Sequence, residues 1–185
     1  MKISREQVVE NRGKILAVAS QLFRERGFED VTVAEIMSAA GLTHGAFYSY
    51  FSSKEELITH ACEHVLFGEG GSQVVWEDLA GFAKYYLSDT HRNDRSGGCL
   101  FAALGTEAAR SSEGTRDVIT QSVRDQVAKF SETASGRNAS DRRRTAVGSW
   151  AAMIGAVMLA RAVNDDSLAK EITSLTLSWL KQKKA

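Results

Sequence analysis

The sequence predicts an all-α protein, a small three-helix head followed by a longer helical body. Three observations carry this. Apolar residues recur near the 3.6-residue period in segment after segment, and no stretch alternates with the period of two that a strand needs. Ser, Thr and Gly stand where helices start and stop. Proline is absent from all 185 residues, which leans away from a fold built on β-turns and edge strands.

The elements follow in order. Arg5–Arg26 reads as a first helix, with apolar positions at Val8, Ile15, Leu16, Ala19, Leu22 and Phe23, a cap at Ser4 and a stop at Gly27. After the short connection Phe28–Val31, Thr32 caps a second helix and Glu35, three residues on, completes a capping box. That helix buries Val33, Ile36 and Met37 and ends at Gly41. Thr43 caps a third, very short helix, His44–Phe51. Ser52 and Ser53 open a fourth, Lys54–Phe67, with Glu55 and Glu56 in the first turn where the helix dipole favours acids. Further helices are expected at Trp76–Ser88, Cys99–Arg110, Arg116–Thr133, Asp141–Val163 and Leu168–Gln182, separated by Gly/Ser/Asn clusters at 68–73, 93–98, 111–115 and 134–140. A shift in character near residue 54 divides the chain into 1–54 and 55–185.

Composition narrows the function. A 43% apolar content supports a real core, and a formal net charge of +0 gives no bulk attraction to nucleic acid or to an acidic membrane. The two cysteines, Cys62 and Cys99, make no disulfide framework, and MKISREQVVENRGK has no signal-like apolar run; both features point to the cytoplasm. The apolar stretch Thr145–Val163 is short for a membrane span and carries Arg161, so a buried helix is expected there and no membrane partner. Neither a P-loop, a dinucleotide fingerprint, a G-x-S-x-G elbow nor a C-x-x-C pair is present, so no cofactor and no enzymatic activity are expected.

Helix, Gly-containing turn, short helix is the helix-turn-helix plan. In HGAFYSYF, Phe47 and Phe51 are four apart and fall on one face, which anchors the element. Gly45 and Ala46 project little and let backbone approach a duplex. Tyr48 and Tyr50 then carry hydroxyls outward, Thr43 and His44 sit at the helix N-terminus where N–H groups favour phosphate, and Lys54 supplies a point charge. The residues VTVAEIMSAAGLTHGAFYSYFSSKEEL resemble the DNA-binding signature of the TetR family, the tetracycline-repressor-like bacterial regulators. The likeness runs over residues 10–60, with Phe23, Gly27, Thr32, Ile36, Ala40-Gly41, Tyr48, Phe51, Lys54 and Leu57 at family-like spacings.

This resemblance implies an N-terminal helix-turn-helix DNA-binding domain and a C-terminal helical ligand-binding and dimerisation domain, about nine helices in all. It implies a homodimer on a palindromic double-stranded DNA operator, with reading heads about 34–36 Å apart. It also implies repression relieved by a small-molecule inducer, whose identity the sequence leaves open. Thr32, Thr43, His44, Gly45, Ala46, Tyr48, Tyr50 and Lys54 carry over by motif position as DNA-facing. The first 54 residues hold seven Lys/Arg against six Asp/Glu, a balance of +1, so few phosphate contacts per subunit are expected.

In the body, Gly148 and Gly155 are seven apart with Ala152 between them, a small-residue face that lets a partner helix come close. The last two helices hold the dimer seam in the resembled family, and Gly148, Ala152, Gly155, Leu159, Leu175 and Trp179 are the candidate interface, with Trp150, Met153, Ile154, Val157 and Met158 adding apolar area. Trp76, Phe82, Tyr86, Cys99, Phe101, Leu104, Glu107, Phe130 and Trp150 are candidates to line a ligand cavity. Cys99 follows Gly97-Gly98 at a helix start, a setting that favours thiolate, so a redox or electrophile sensor is the alternative function. His60-Ala61-Cys62-Glu63-His64 matches the short H-x-x-E-H zinc pattern, which makes a zinc-dependent enzyme using His60 and His64 a further alternative, but no third ligand or cleft can be placed, and the segment is read as a linking helix without metal.

Overall fold

The computed structural model describes residues 4–68 and 76–182. The turn cluster expected at 68–73 lies outside the described residues apart from Gly68. Among the described residues the chain is helical, with nine α-helices, one 3₁₀ helix and no strand. These are α1 (Arg5–Arg26), α2 (Val33–Ala39), the 3₁₀ helix (His44–Ser49), α3 (Lys54–Leu66), α4 (Leu79–Tyr86), α5 (Asp89–Asn93), α6 (Leu100–Ala108), α7 (Glu113–Thr133), α8 (Ala139–Ala162) and α9 (Asp166–Gln182). They divide into two compact units, residues 1–73 with 103–120, and 74–102 with 121–185, so α6 and α7 each give residues to both.

The first unit is built on α1. Ser4 Oγ accepts from the Gln7 N–H at 3.1 Å to start it, and Gly27, at φ +90, takes the left-handed turn that ends it. Ile15, Leu16, Ala19 and Phe23 form the buried stripe. Val8, expected on that stripe, is exposed, because the first six residues of α1 have nothing packed over them. The capping box of α2 forms as expected: the Thr32 and Glu35 side chains each accept from the other's backbone N–H, at 3.2 and 2.8 Å. Gly41, at φ +73, supplies the turn between α2 and the next element. That element is a six-residue 3₁₀ helix rather than the eight-residue helix expected, with Tyr50 as its C-cap. Ser53 caps α3 by accepting from the Glu56 N–H at 3.1 Å.

The second unit packs α4, α5, α8, α9 and the C-terminal part of α7 around a core that includes Leu79, Tyr86, Phe130, Trp150, Met153 and Val157. The single helix expected over Trp76–Ser88 is instead α4 ending at Tyr86 followed by α5, because the Ser88 hydroxyl accepts from the His91 N–H at 3.3 Å and starts a new helix. α8 is long and apolar enough to cross a membrane by composition, yet Ala146, Trp150, Met153, Ala156, Val157 and Ala160 on one of its faces are buried inside this unit.

Candidate nucleic-acid interface

The 3₁₀ helix is held by the two phenylalanines that its spacing assigned to the core. Phe47 is 1% and Phe51 2% exposed, with ring centroids 5.8 Å apart. The Arg12 guanidinium lies over the Phe51 ring, 5.1 Å from its centroid. Fully burying a phenylalanine is worth about 1.5–3 kcal/mol, so Phe47 within the element and Phe51 just past its C-cap fix it firmly.

Tyr48 is 70% exposed, its ring edge-on against Phe47 with centroids 5.3 Å apart. Thr43, His44 and Gly45 are exposed beside it and Ala46 is half-buried. Thr43 holds the N-cap position but its side chain makes no capping bond, which leaves the hydroxyl for another partner. A Cβ placed on Gly45 would meet no heavy atom within 4 Å, so the ridge is open at this point. Small residues flanked by hydroxyls and an imidazole form a surface that can enter a major groove about 12 Å wide.

Tyr50 departs from its expected outward role. It is half-buried, and its hydroxyl accepts from Asn11 Nδ2 at 3.0 Å, while Asn11 Oδ1 accepts from Gln7 Nε2 at 3.1 Å. The hydroxyl keeps its own proton for donation. Asn11 was missed in the sequence; its signal was a polar residue on the face that Ile15 and Leu16 continue. Thr32 spends its hydroxyl on the capping box, where it donates to Glu35 at 2.8 Å. Bonds from the Thr32 N–H and hydroxyl, then from Arg26, bring the Glu35 carboxyl down to about 2. Lys54 is half-buried at the start of α3, with Nζ donating to the Glu29 carbonyl at 3.4 Å.

The same unit ties the end of α6 and the start of α7 to the helices of the head. Glu107 Oε2 accepts from the Phe28 N–H at 2.6 Å, directly after α1. Thr59 of α3 and Thr115 of α7 share a hydroxyl–hydroxyl bond at 2.8 Å, and Glu55 Oε1 accepts from the Ser112 N–H at 2.9 Å. Glu107 was expected in a ligand cavity; its carboxylate is instead committed to Phe28. Leu104 is buried in this first unit with it.

Those aromatics meet in the second unit as a continuous chain of ring contacts. Trp76 packs on Phe82 at 6.0 Å between centroids, Phe82 on Tyr86 at 5.2 Å and on Phe130 at 4.7 Å, and Trp150 on Phe130 at 6.0 Å and on Phe101 at 5.1 Å. A small cavity of about 50 Å³ nearby is lined by Leu79, Ala83, Ala134, Ser149, Leu177 and Leu180 among others, and by none of the nine nominated residues.

On α8 and α9 the six seam candidates lie toward the outside. A Cβ on Gly148 or Gly155 would meet nothing within 4 Å, Ala152 is half-buried, and Leu159, Leu175 and Trp179 are exposed. Val147, Met158 and Leu168 extend this exposed apolar surface. Trp150, Met153 and Val157, expected to add to it, face inward and are buried, since they sit on the opposite stripe of the same helix. In the H-x-x-E-H segment His60 Nδ1 bonds Glu63 at 2.7 Å, and among the described residues no group of three or more His, Cys, Asp or Glu side chains is placed to hold a metal.

Residues 15–61 match the model of the bacterial regulatory proteins of the tetR family, and residues 76–175 match that of the tetracyclin repressor-like C-terminal domain. The chain is 38% identical over 73 residues to the uncharacterized HTH-type transcriptional regulator YerO of Bacillus subtilis, covering 39% of this chain and 25% of that one. It is 42% identical over 52 residues to the HTH-type transcriptional repressor KstR2 of Mycobacterium tuberculosis, covering 28% and 26%. The chain thus spans about a quarter of the length of these curated relatives. Solved structures with the same fold include Escherichia coli NemR in its reduced form (TM-score 0.69, 23% identity, 94% of this chain and 96% of that one). A TetR regulator from Chloroflexus aurantiacus is another (TM-score 0.73, 22% identity, 96% and 97%).

Proposed function

Because the chain belongs to the tetR family of bacterial regulatory proteins, DNA-binding transcriptional regulators, we propose that it is a cytoplasmic repressor that binds a palindromic operator as a homodimer and is released by a small molecule. The observation that carries the reading is Tyr48, exposed on a 3₁₀ helix that is anchored by the buried ring of Phe47. In this reading Tyr48, Thr43 and His44 meet bases and phosphates, Gly45 and Ala46 give clearance, Tyr50 donates its remaining proton to a phosphate, and Lys54 adds a charge. Residues 1–54 form the reading head and 55–185 the ligand and dimer body. The relatives are transcriptional regulators, and no catalytic activity is assigned to this chain.

Release works through the bonds that α6 and α7 make to the residue after α1 and to α3, the helix that follows the head. A ligand that shifts α6 pulls on Glu107, and with it on the Phe28 N–H that closes α1. The Thr59–Thr115 and Glu55–Ser112 bonds do the same for α3. An operator fixes the spacing of two heads, so ligand and DNA select different states and each weakens the other by one shared factor, equivalent to about 1–3 kcal/mol. The apolar surface of α8 and α9 around Gly148 and Gly155 supports the homodimer. The deciding experiment is selection from random duplexes by the purified protein at stated salt. An enriched palindrome with half-sites one helical turn apart supports the reading; only salt-sensitive background binding refutes it.

A second reading, an electrophile or oxidant sensor, is favoured by Cys99. This thiol is half-buried at the N-terminal boundary of α6, beside the buried Tyr86 hydroxyl. Cys62 is no rival, because burial, with Glu55 and Glu63 nearby, pushes its thiol up to about 12. If operator release by N-ethylmaleimide persists in Cys99→Ser, this reading fails.

A further inference from the structure

A polar cleft of about 270 Å³ opens in the second unit between α5, the C-terminal end of α8 and the start of α9. This is near the lower end of the volumes usual for small-molecule sites, about 300 Å³. Three guanidiniums, Arg92, Arg95 and Arg161, line it, with Asn93, Asn164 and a single carboxylate, Asp166. Three positive charges against one negative leave the lining at +2, in a chain whose formal net charge is +0.

The fold leaves part of the arginines' charge and donor capacity over. Arg92 is 6% exposed and pairs through Nη2 with Asp166 at 2.7 Å and Asp89 at 3.3 Å, yet its buried Nε has no hydrogen-bond partner. A buried donor without an acceptor is costly, and such groups call for an explanation in the site they face. Arg161 points Nε at the Arg92 carbonyl at 2.9 Å and Nη2 at the His91 and Asp94 carbonyls at 3.0 and 3.1 Å. Those acceptors are dipoles, so its full charge is not neutralised. Gly98 admits it: a Cβ there would stand 3.0 Å from Arg161 Nη2. Arg95 is exposed, and among the described residues neither Arg95 nor Arg161 makes an ion pair. The acids nearby are already engaged. Asp166 is shared by Arg92 and Lys170, both at 2.7 Å, and Asp94 accepts from the Gly97 N–H at 2.8 Å.

We propose that this cleft binds a small anion carrying a phosphate or carboxylate group, received by Arg92 Nε, Arg95 and Arg161. Guanidiniums match both groups in planar, bidentate geometry, and a partly dry wall strengthens each contact. The lining shares no residue with the aromatic chain or with the residues proposed to face the operator, and the proposal does not depend on the repressor assignment.

The test is isothermal titration of the full chain with inorganic phosphate and, separately, with succinate. Saturable binding of either, weakened by added NaCl, is expected; phosphate alone identifies a phosphate ester as the class of ligand, succinate alone a dicarboxylate. Arg95→Glu, at an exposed position without an ion pair, is expected to weaken binding about tenfold with unfolding temperature unchanged. Asn164→Asp, which adds a negative charge at the rim, is expected to weaken it too. The proposal is overturned if neither anion binds saturably, or if both variants bind as tightly as the wild type.

Discussion

Tyr48 makes one ring contact, edge-on to Phe47, and is otherwise exposed, so its loss leaves the core closed. Truncating Phe47 or Phe51 instead removes a buried ring, at about 3–5 kcal/mol, and so confounds binding with folding. Tyr48→Ala is therefore expected to reduce operator affinity at least tenfold while the thermal midpoint and oligomeric state stay as in the wild type; a lowered midpoint would mean that the ring belongs to the core. His91 sets a different residue-scale expectation. Its Nδ1–H donates to the Tyr86 carbonyl at 2.7 Å and Nε2 accepts from the Cys99 N–H at 3.3 Å, so the neutral ring fits both partners. Burial holds its pKa below the ordinary 6.5. As pH falls through 6.5 the unfolded chain takes up a proton that the folded one resists, so stability is present above that value and lost below it. Thermal unfolding between pH 7.5 and 5.5 is expected to show this loss, and His91→Gln to show less of it.

Among the elements, the head was legible because its signals are local. Ser4, Thr32 and Ser53 cap, Gly27 and Gly41 turn, and Phe47 with Phe51 sets a face; each acts within a few residues of itself. The 3₁₀ geometry was not legible, since i+3 and i+4 spacings differ little over six residues. The fate of Glu107 was hidden for another reason: its partner Phe28 lies 79 positions away, and nothing local distinguishes a carboxylate that closes a distant helix from one that meets a ligand. Trp150 and Leu159 share a helix, and only the tertiary packing decided which stripe turned inward. Gly27→Ala tests the junction directly. A Cβ there meets Glu107 Oε1 at 2.8 Å and the backbone is at φ +90, so both a strained turn and a displaced carboxylate follow. The variant is expected to lose about 1 kcal/mol or more in denaturant unfolding. Its operator affinity is expected to fall beyond what that instability explains.

For the whole molecule, Leu159, Leu175 and Trp179 are large apolar side chains left exposed on the last two helices, and exposed apolar side chains of this kind mark surfaces that a partner covers. Leu159→Glu puts a charge into the proposed seam. Sedimentation is expected to show dimers for the wild type and monomers for the variant, and operator binding to fall with dimerisation because each half-site then binds alone. A variant that remains dimeric would place the seam elsewhere.

The division of α6 and α7 between both units has a practical side for anyone transplanting specificity. A head excised after α3 leaves behind residues 103–120, and with them the acceptor for the Phe28 N–H and the hydroxyl opposite Thr59. Chimaeras that join this head to a foreign body at the end of α3 lose the acceptor of the Phe28 N–H, just after α1, and leave the Thr59 hydroxyl of α3 with the Glu55 carbonyl alone. Recombination partners that work should carry the 103–120 segment of the donor as well, so the exchangeable cassette is discontinuous in the gene although it is one piece in space.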